Sequence, residues 1–463
     1  MSTASRAGEQ LRYKDTVDSA GARETIAAVA DGFTDLVTDD ADSQAVDGPL
    51  GWAGYDEDRR EARQRSGEDE SVICGHGAVG GTAAVLIAFD FRFLGGSVGS
   101  RAGLRIEQAF AAARAGRIPV VSLLATGGSR MQEGMLSLVQ LQRIARQIHL
   151  TRAAGLPHVS VLRNPTTGGL WASLGAGADV VLGVAGAQVG FAGRRIRPAA
   201  DADADAAYTT EGQYAGGHVD EVTDGAGLGG ALAAWLTLLR PADGTADGDP
   251  DVPRPLGVAD PAADGWSAVQ RARDPRRPRA AAYLRDHFDE VRLISGDRAG
   301  GVDPGMLCGI GRRHGRSVAF AAQTGTANTP AGFRTATRLV RLADRLSLPV
   351  LTLVDTPGAA NDAAAERAGV GPAIAELFGT VAAATVPMTT LVVGEGGSGG
   401  ALALAAPGRT WITPDAYFSV TAPELAASIL KRPAAEVPAT AAALRLRPDE
   451  LVELGVVRGI AAG

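Results

Sequence analysis

The sequence predicts an α/β protein in which one strand-and-helix unit is used twice. Three observations carry this. Apolar runs that read as buried strands break abruptly into glycine: Met388 to Val393 leads into Gly394-Glu395-Gly396-Gly397-Ser398-Gly399-Gly400-Ala401-Leu402, and His158 to Leu162 leads into Asn164-Pro165-Thr166-Thr167-Gly168-Gly169-Leu170-Trp171. A second strand-to-glycine turn lies upstream of each, Val120 to Gly128 and Leu351 to Gly358. The halves keep step: Pro119 and Pro349, Thr126 and Thr356, and Pro157 and Pro387 are each 230 residues apart, whereas Gly168 and Gly399, leading the last glycine pairs, are 231 apart.

The elements follow in order. Residues 1 to about 70 are polar, with acidic Asp35, Asp39, Asp40 and Asp42, and read as a solvated helical cap on the first domain. Helices are expected near Ala22 to Leu36 and Asp56 to Ser66. Strands follow at Ser71 to Cys74 and Ala83 to Phe91, then a helix at Arg101 to Ala115 and the strand Val120 to Leu124. Met131 to Ala153 reads as one long helix whose Met135, Leu138, Leu141 and Ile144 form a stripe for packing on a sheet. Alanine alternates with aspartate in the low-complexity stretch 197–206, a solvated acidic loop. Ala231 to Leu239 closes the first domain as a helix, giving bounds of 71–240.

The Pro-, Gly- and Asp-rich stretch from 241 marks a linker, drawn to residue 270. The basic run Arg271 to Arg279 either meets phosphates or enters a helix as solvated charge. The second domain, 271–463, carries the strands Ser317 to Gln323 and Val350 to Asp355, with the helix Gly332 to Leu346 between them.

Composition narrows the function. The chain has 463 residues, is 45% hydrophobic and has a net charge of −7, which fits large buried cores and argues against a general nucleic-acid surface. No apolar run reaches the roughly 18 residues of a membrane span, and Met1 to Gln10 lacks a signal-peptide core, so a soluble cytoplasmic protein is expected. Cys74 and Cys308, the two cysteines, read as distant thiols and are too few for a zinc ribbon.

Two tempting motifs fail and a third is absent. Gly396 to Gly400 fits G-x-S-x-G, but a hydrolase of that type needs a histidine after the serine, and all six histidines precede Ser398. Gly75 to Gly80 fits G-x-G-x-x-G, yet a strand rather than a helix follows. No G-x-x-x-x-G-K-[ST] exists.

The glycine turns themselves suit another chemistry. A strand that breaks into glycine and re-enters a helix gathers backbone N–H groups at a positive helix end, and without a Cβ a ligand can lie against the peptide. Such donors hold a developing oxyanion with no acidic or basic side chain.

The residues that fill these turns resemble those of a known family. Asp90 to Ser100, Gly127-Gly128-Ser129-Arg130-Met131-Gln132-Glu133-Gly134, Pro165 to Gly169 and Val189 to Gly193 resemble the beta subunit of the acetyl-CoA carboxylase carboxyltransferase. Phe288-Asp289-Glu290 with Gly296 to Ala299, Asp355 to Ala359, Gly394 to Leu402, and Ser419 to Glu424 with Ala427 to Leu430 resemble its alpha subunit. The likeness covers roughly residues 20 to 460, as if the two subunits were joined.

The resemblance implies two crotonase-like (ClpP/crotonase) ββα-spiral domains and transfer of a carboxyl group from carboxybiotin to the α-carbon of an acyl-CoA, with acetyl-CoA to malonyl-CoA as the expected case. It implies that Gly128 and Gly169 hold the enolate oxygen of the coenzyme A thioester. Gly400 and Ala401, aided by Gly358, would hold the biotin carbonyl, and Gly168, Gly396, Gly397 and Gly399 would line the cofactor site. With no biotin-attachment Met-Lys-Met and no visible ATP-binding domain, biotin is expected on a biotin carboxyl carrier protein, charged by a separate biotin carboxylase. The family further implies a homo-oligomer, at least a dimer, whose cleft joins the first domain of one protomer to the second domain of another.

The sequence departs from the family in four places, one being the acidic loop near Asp201, which replaces a better-ordered family segment. It lacks the beta subunit's four-cysteine zinc ribbon, so no zinc is expected. The basic segment before the alpha subunit's main helix shrinks to Thr324 to Pro330, and Ala359-Ala360-Asn361-Asp362 replaces the usual Ala-Tyr-Pro-Gly. A biotin-independent malonyl thioester decarboxylase, or a non-catalytic assembly subunit, are the alternative readings of the same scaffold.

Overall fold

The computed structural model describes residues 20–37, 45–197, 205–241 and 248–462. The chain divides into two compact units, Met1–Thr237 and Leu238–Gly463.

In the first unit, strands β1 (Asp31–Asp35), β2 (Val72–Val79), β3 (Thr82–Phe89), β4 (Val120–Thr126), β5 (His158–Thr167), β6 (Val180–Val184), β7 (Val189–Gly190) and β8 (Glu221–Thr223) make one sheet in the order β1-β2-β3-β4-β5-β6-β8, with β7 beside β5. The β1–β2 and β2–β3 pairs are antiparallel, and from β3 to β8 the sheet is parallel. Parallel strands are covered on both faces, which is why every residue of Val120–Thr126 is buried. Ile106 and Phe110 of the helix Ser100–Gly116 and Ile144 and Ile148 of the helix Gln140–Ala153 share a core with Val85, Ile87, Val120 and Leu124.

The second unit repeats the plan. Strands β9 (Glu290–Ile294), β10 (Met306–Arg313), β11 (Arg316–Gln323), β12 (Val350–Thr356), β13 (Met388–Gly397), β14 (Thr410–Ile412), β15 (Tyr417–Ser419) and β16 (Gly459–Ile460) run in the order β16-β14-β13-β12-β11-β10-β9, with β15 beside β13. The pairing of Val120 with His158 recurs as Val350 with Met388, at the 230-residue spacing.

Several expectations change. Ala22 to Leu36 is not one helix: it stops at Val29, and Asp31–Asp35 pairs as an edge strand with β2. Gly32 turns with φ 63°, and a Cβ on Gly75 would lie 2.4 Å from the Phe33 ring, so glycine on β2 makes room for that ring. Gly75 and Gly77 therefore lie within a strand, away from any helix start. Met131 to Ala153 begins as a turn at Met131–Glu133, set off by Gly134 at φ 51°, and continues as the helices Gly134–Leu138 and Gln140–Ala153, between which Val139 keeps helical backbone angles. Ile144 of the expected stripe is buried, whereas Met135 is 66% and Leu138 47% exposed.

The cap is more than a solvated cover, since Tyr55 at the start of the helix Tyr55–Ser66 is fully buried. The linker also differs from a free tether. Its residues from 248 onward pack on the second unit: the Thr389 hydroxyl donates to the Pro250 carbonyl at 3.0 Å and the Leu256 N–H to the Tyr283 hydroxyl at 3.1 Å. Asp39, Asp40, Asp42 and most of the acidic 197–206 loop lie outside the described residues. Among the described residues, no helix is long and apolar enough to cross a membrane.

Candidate active site

Two adjacent strand ends build the site of the first unit. Thr126 of β4 stands opposite Thr166 of β5, and both strands run straight into glycine. Gly128 has φ 109° and Gly168 φ 73°, backbone that side chains rarely adopt. The turns nearly touch: a methyl group on Gly168 would lie 3.2 Å from the Gly128 Cα, and one on Gly128 3.8 Å from the Gly169 nitrogen. In the second unit Thr356 stands opposite Gly396, Gly358 has φ 142° and Ser398 has φ 57°.

The Ser398 angle removes the apparent one-residue slip. Thr166 and Thr167 face Val189 and Gly190, while Gly396 and Gly397 face Phe418 and Ser419. The 230 spacing thus holds through the turn, so Gly168 corresponds to Ser398 and Gly169 to Gly399. Matching glycine with glycine aligned residue types, whereas the fold aligns backbone conformations.

The direction of each peptide decides which N–H groups are free to act. Gly128 N–H already donates to Thr126 Oγ1 at 3.0 Å, and Gly358 N–H to Thr356 Oγ1 at 3.1 Å. The next peptide differs. The Gly128 carbonyl accepts from Val98 N–H at 2.9 Å, and the Gly358 carbonyl accepts from Asn328 N–H at 3.2 Å. Val98 and Asn328 bridge Ser129 and Ala359 from the β3 and β11 sides. A trans peptide points its N–H opposite its carbonyl. The Ser129 and Ala359 N–H groups therefore point toward the turns after β5 and β13, where Gly169, Gly399 and Gly400 stand. Sequence reasoning missed Ser129 and Ala359, because residue type carries no signal for peptide direction.

The remaining site residues fall into two groups. Gly168 N–H is engaged by the Gly190 and Phe191 carbonyls at 3.2 and 3.1 Å, and Gly396 and Gly397 lie inside β13. A Cβ on Gly397 would stand 2.1 Å from the Pro357 oxygen, so its glycine permits close packing. Gly399 faces open space, while Gly400 and Ala401 are buried in the short helix Ser398–Leu402. A methyl on Gly400 would meet the Ala359 nitrogen at 2.5 Å, and the Gly400 carbonyl is held by Gln323 Nε2 at 2.9 Å.

Buried charge braces both turns. In the first unit Arg130 and Glu70 are each about 1% exposed and paired. Arg130 also donates to the Tyr55 hydroxyl at 3.2 Å, which donates to Glu133 at 2.7 Å. Glu133 in turn accepts from Ser100 N–H at 2.6 Å, so the cap is tied to the loop that carries Ser129. In the second unit the end of the basic run turns inward, while Arg276 stays 88% exposed beside Asp274. Arg277 reaches Asp355 at 2.5 Å and the Val393 carbonyl at 3.3 Å, and Arg279 reaches Asp355 at 3.4 Å. Burial pushes the Asp355 carboxyl up, against the pull of the Arg277 guanidinium. Arg273 pairs with Glu395 at 2.9 Å and Glu424 at 2.6 Å.

Comparison with known proteins agrees with this architecture. Residues 51–225 match the family model for a carboxyl transferase domain, and residues 262–462 match that for an acetyl co-enzyme A carboxylase carboxyltransferase-like domain. The acetyl-coenzyme A carboxylase carboxyl transferase subunits beta/alpha of Salinispora tropica are 40% identical over 86% of this chain and 74% of that protein. The chain belongs to the acetyl-CoA carboxylase carboxyltransferase family. The protein of the same name from Saccharopolyspora erythraea is 37% identical over 88% of this chain and 74% of its own. A probable biotin-dependent acyl-coenzyme A carboxylase beta3 subunit of Mycobacterium bovis is 32% identical over 87% of this chain and 82% of its own. The transcarboxylase 12S structure, described as a hexamer with hydrolyzed methylmalonyl-coenzyme A bound, superposes with a TM-score of 0.78 at 20% identity, over 99% of this chain and 89% of that one.

The two units are thus crotonase-like carboxyltransferase domains, and the protein is a carboxyltransferase of a biotin-dependent acyl-CoA carboxylase. Backbone N–H groups from adjacent turns can neutralise charge on a carbonyl oxygen without exchanging a proton. One such site in each unit suits a reaction with two carbonyl-bearing partners.

Proposed function

We propose that this carboxyltransferase moves the carboxyl group from carboxybiotin on a separate carrier protein to the α-carbon of an acyl-CoA, with acetyl-CoA as the simplest substrate. The observation that carries the reading is the recurrence, at one spacing, of a paired glycine turn in both units. Acetyl-coenzyme A carboxylase is also the activity in the names of the relatives.

In the first unit, Ser129 and Gly169 N–H groups receive the thioester oxygen as the α-carbon loses its proton and the oxygen takes on enolate charge. Gly128 sets the turn, its own N–H engaged by Thr126. In the second unit, Ala359 N–H and the N–H groups at the start of Ser398–Leu402 face the partner carbonyl, with Gly358 held by Thr356. These donors fit the ureido oxygen, which would gain negative charge as the carboxyl group leaves the ring nitrogen. Biotin on its carrier supplies the carboxyl group and a ring nitrogen that can take the substrate's α-proton. Gly399 leaves open space beside the second turn, where a side chain would otherwise intrude. By the family's pattern the active form is a cytoplasmic homo-oligomer, at least a dimer, working with a biotin carboxyl carrier protein and a biotin carboxylase.

The purified chain, supplied with carboxylated carrier and acetyl-CoA, is expected to form malonyl-CoA and to give a blank streptavidin blot. Release of CO2 from malonyl-CoA at full rate without biotin, and no transfer from the carrier, would replace this reading with a decarboxylase.

A further inference from the structure

Gln323 ends strand β11 and is fully buried. The residues before it, Val318 to Ala322, are apolar, and an amide buried among them is destabilising unless both of its ends find partners. Its Nε2 donates to the Gly400 carbonyl at 2.9 Å, while its Oε1 is buried and meets no donor among the described residues. A carbonyl accepts only from the NH2 end, so turning the amide over cannot mend this. A leucine would fill similar space and leave no orphan oxygen. The amide therefore serves the turn at Gly400 rather than its own surroundings.

The bond it makes is one that the turn does not make for itself. In a continuing helix the Leu404 N–H would close on the Gly400 carbonyl. Here it goes to the Ala401 carbonyl at 3.3 Å, and the Ala403 N–H goes to that of Gly399 at 3.0 Å. Gln323 supplies the missing donor from across the sheet, since β12 lies between β11 and β13. On its other side Gly400 presses on the Gly358–Ala359 peptide, so close that a methyl would meet the Ala359 nitrogen at 2.5 Å. That peptide is held by Asn328, whose N–H donates to the Gly358 carbonyl at 3.2 Å and whose carbonyl accepts from the Ala360 N–H at 2.8 Å. One short segment, Gln323 to Asn328, thus grips both donor turns of the second unit.

We propose that Gln323 is a positioning residue for carboxyl transfer: its amide fixes Gly400 against the Ala359 peptide and so sets the gap between the N–H donors of the two turns. The proposal rests on the reading of those donors as the hold on the biotin carbonyl. Donors placed for an oxygen that gains charge act most as the charge develops, so their misplacement lowers kcat rather than substrate affinity.

The test uses Gln323→Leu and Gln323→Glu, with carboxyl transfer from malonyl-CoA to free biotin, malonyl-CoA affinity and Tm measured for each. Gln323→Leu should lower kcat on the order of ten- to a hundredfold and leave malonyl-CoA affinity unchanged. Gln323→Glu separates positioning from packing. Its carboxyl can donate to the Gly400 carbonyl when protonated and repels it when ionised. The kcat of Gln323→Glu relative to the parent should therefore be highest at low pH and fall as pH rises across roughly pH 5–9, the span in which buried carboxyls titrate. A Gln323→Leu variant that melts like the parent and transfers at the parent rate overturns the proposal. So does a Gln323→Glu variant whose rate keeps a constant ratio to the parent over that span, and this result decides the matter if Gln323→Leu fails to fold. A parent that transfers no carboxyl group to biotin defeats the carboxyl-transfer reading and this role with it, whereas a transferring parent matched by both variants defeats the role of Gln323 alone.

Discussion

Replacing Gly400 with alanine should damage the carrier half of the reaction while leaving acyl-CoA binding in place. The added methyl would sit 2.5 Å from the Ala359 nitrogen and 2.9 Å from the Gly358 carbonyl carbon. Ordinary contact begins near 3.4 Å, so the Gly358–Ala359 peptide must retreat by 0.9 Å. Both neighbours are backbone, pinned by Asn328 N–H and by Thr356, so the shift cannot be absorbed by a rotamer change. A displacement of about 1 Å in a positioned catalytic group costs on the order of 10²-fold in rate. Loss of one oxyanion donor costs about 10²–10³-fold.

The methyl points at backbone rather than into the open space beside Gly399, so the effect is displacement of a donor, not exclusion of a ligand. Gly399→Ala is the matched control, since its Cβ meets nothing within 4 Å. The assay is carboxyl transfer from malonyl-CoA to free biotin, followed by acetyl-CoA release, with malonyl-CoA affinity and Tm measured on the same samples. Gly400→Ala should keep its malonyl-CoA affinity and lose about 10²-fold in transfer rate. If it melted normally and transferred at the parent rate, the placement of Ala359 as a donor would be wrong.

Arg277→Met should cost about 3–5 kcal/mol in the second unit, because it leaves Asp355 buried without its main partner; a loss below about 1 kcal/mol by denaturant unfolding would place the pair with surface ion pairs. Tyr55→Phe removes the hydroxyl between Arg130 and Glu133 and should cost about 1–3 kcal/mol, whereas no change would show that the cap does not brace the Ser129 loop. His158, buried and bonded to Ser122 at 2.9 Å, is lowered to about 4 by burial, so the unfolded chain, titrating near 6.5, binds the extra proton between these values. Stability should therefore fall as pH drops from 6.5 toward 4, by about 3 kcal/mol from this group, and His158→Phe should flatten that slope in unfolding titrations; parallel slopes would refute the assignment.

The sequence by itself determined the repeat, the central strands of each sheet and the family. Runs such as Val120–Thr126 and Met388–Gly397 are legible because parallel strands buried on both faces must be apolar along their length. Gly128, Gly168 and Gly358 stood out because their positive φ leaves few other residues possible. The tertiary structure decided what depends on partners distant in the chain. Asp31–Asp35 became a strand because β2 offered an edge to a segment whose Gly32, Thr34 and Asp35 are weak helix formers. Arg277 turned inward because Asp355, 78 residues away, needed a counter-charge. Ser398 took the place of Gly168 because the ladder with β15 fixes register by backbone pairing and not by residue type. The Ser129 and Ala359 donors depend on hydrogen bonds from Val98 and Asn328. Those bonds orient a peptide plane, and a peptide plane leaves no mark on the identity of the side chains beside it.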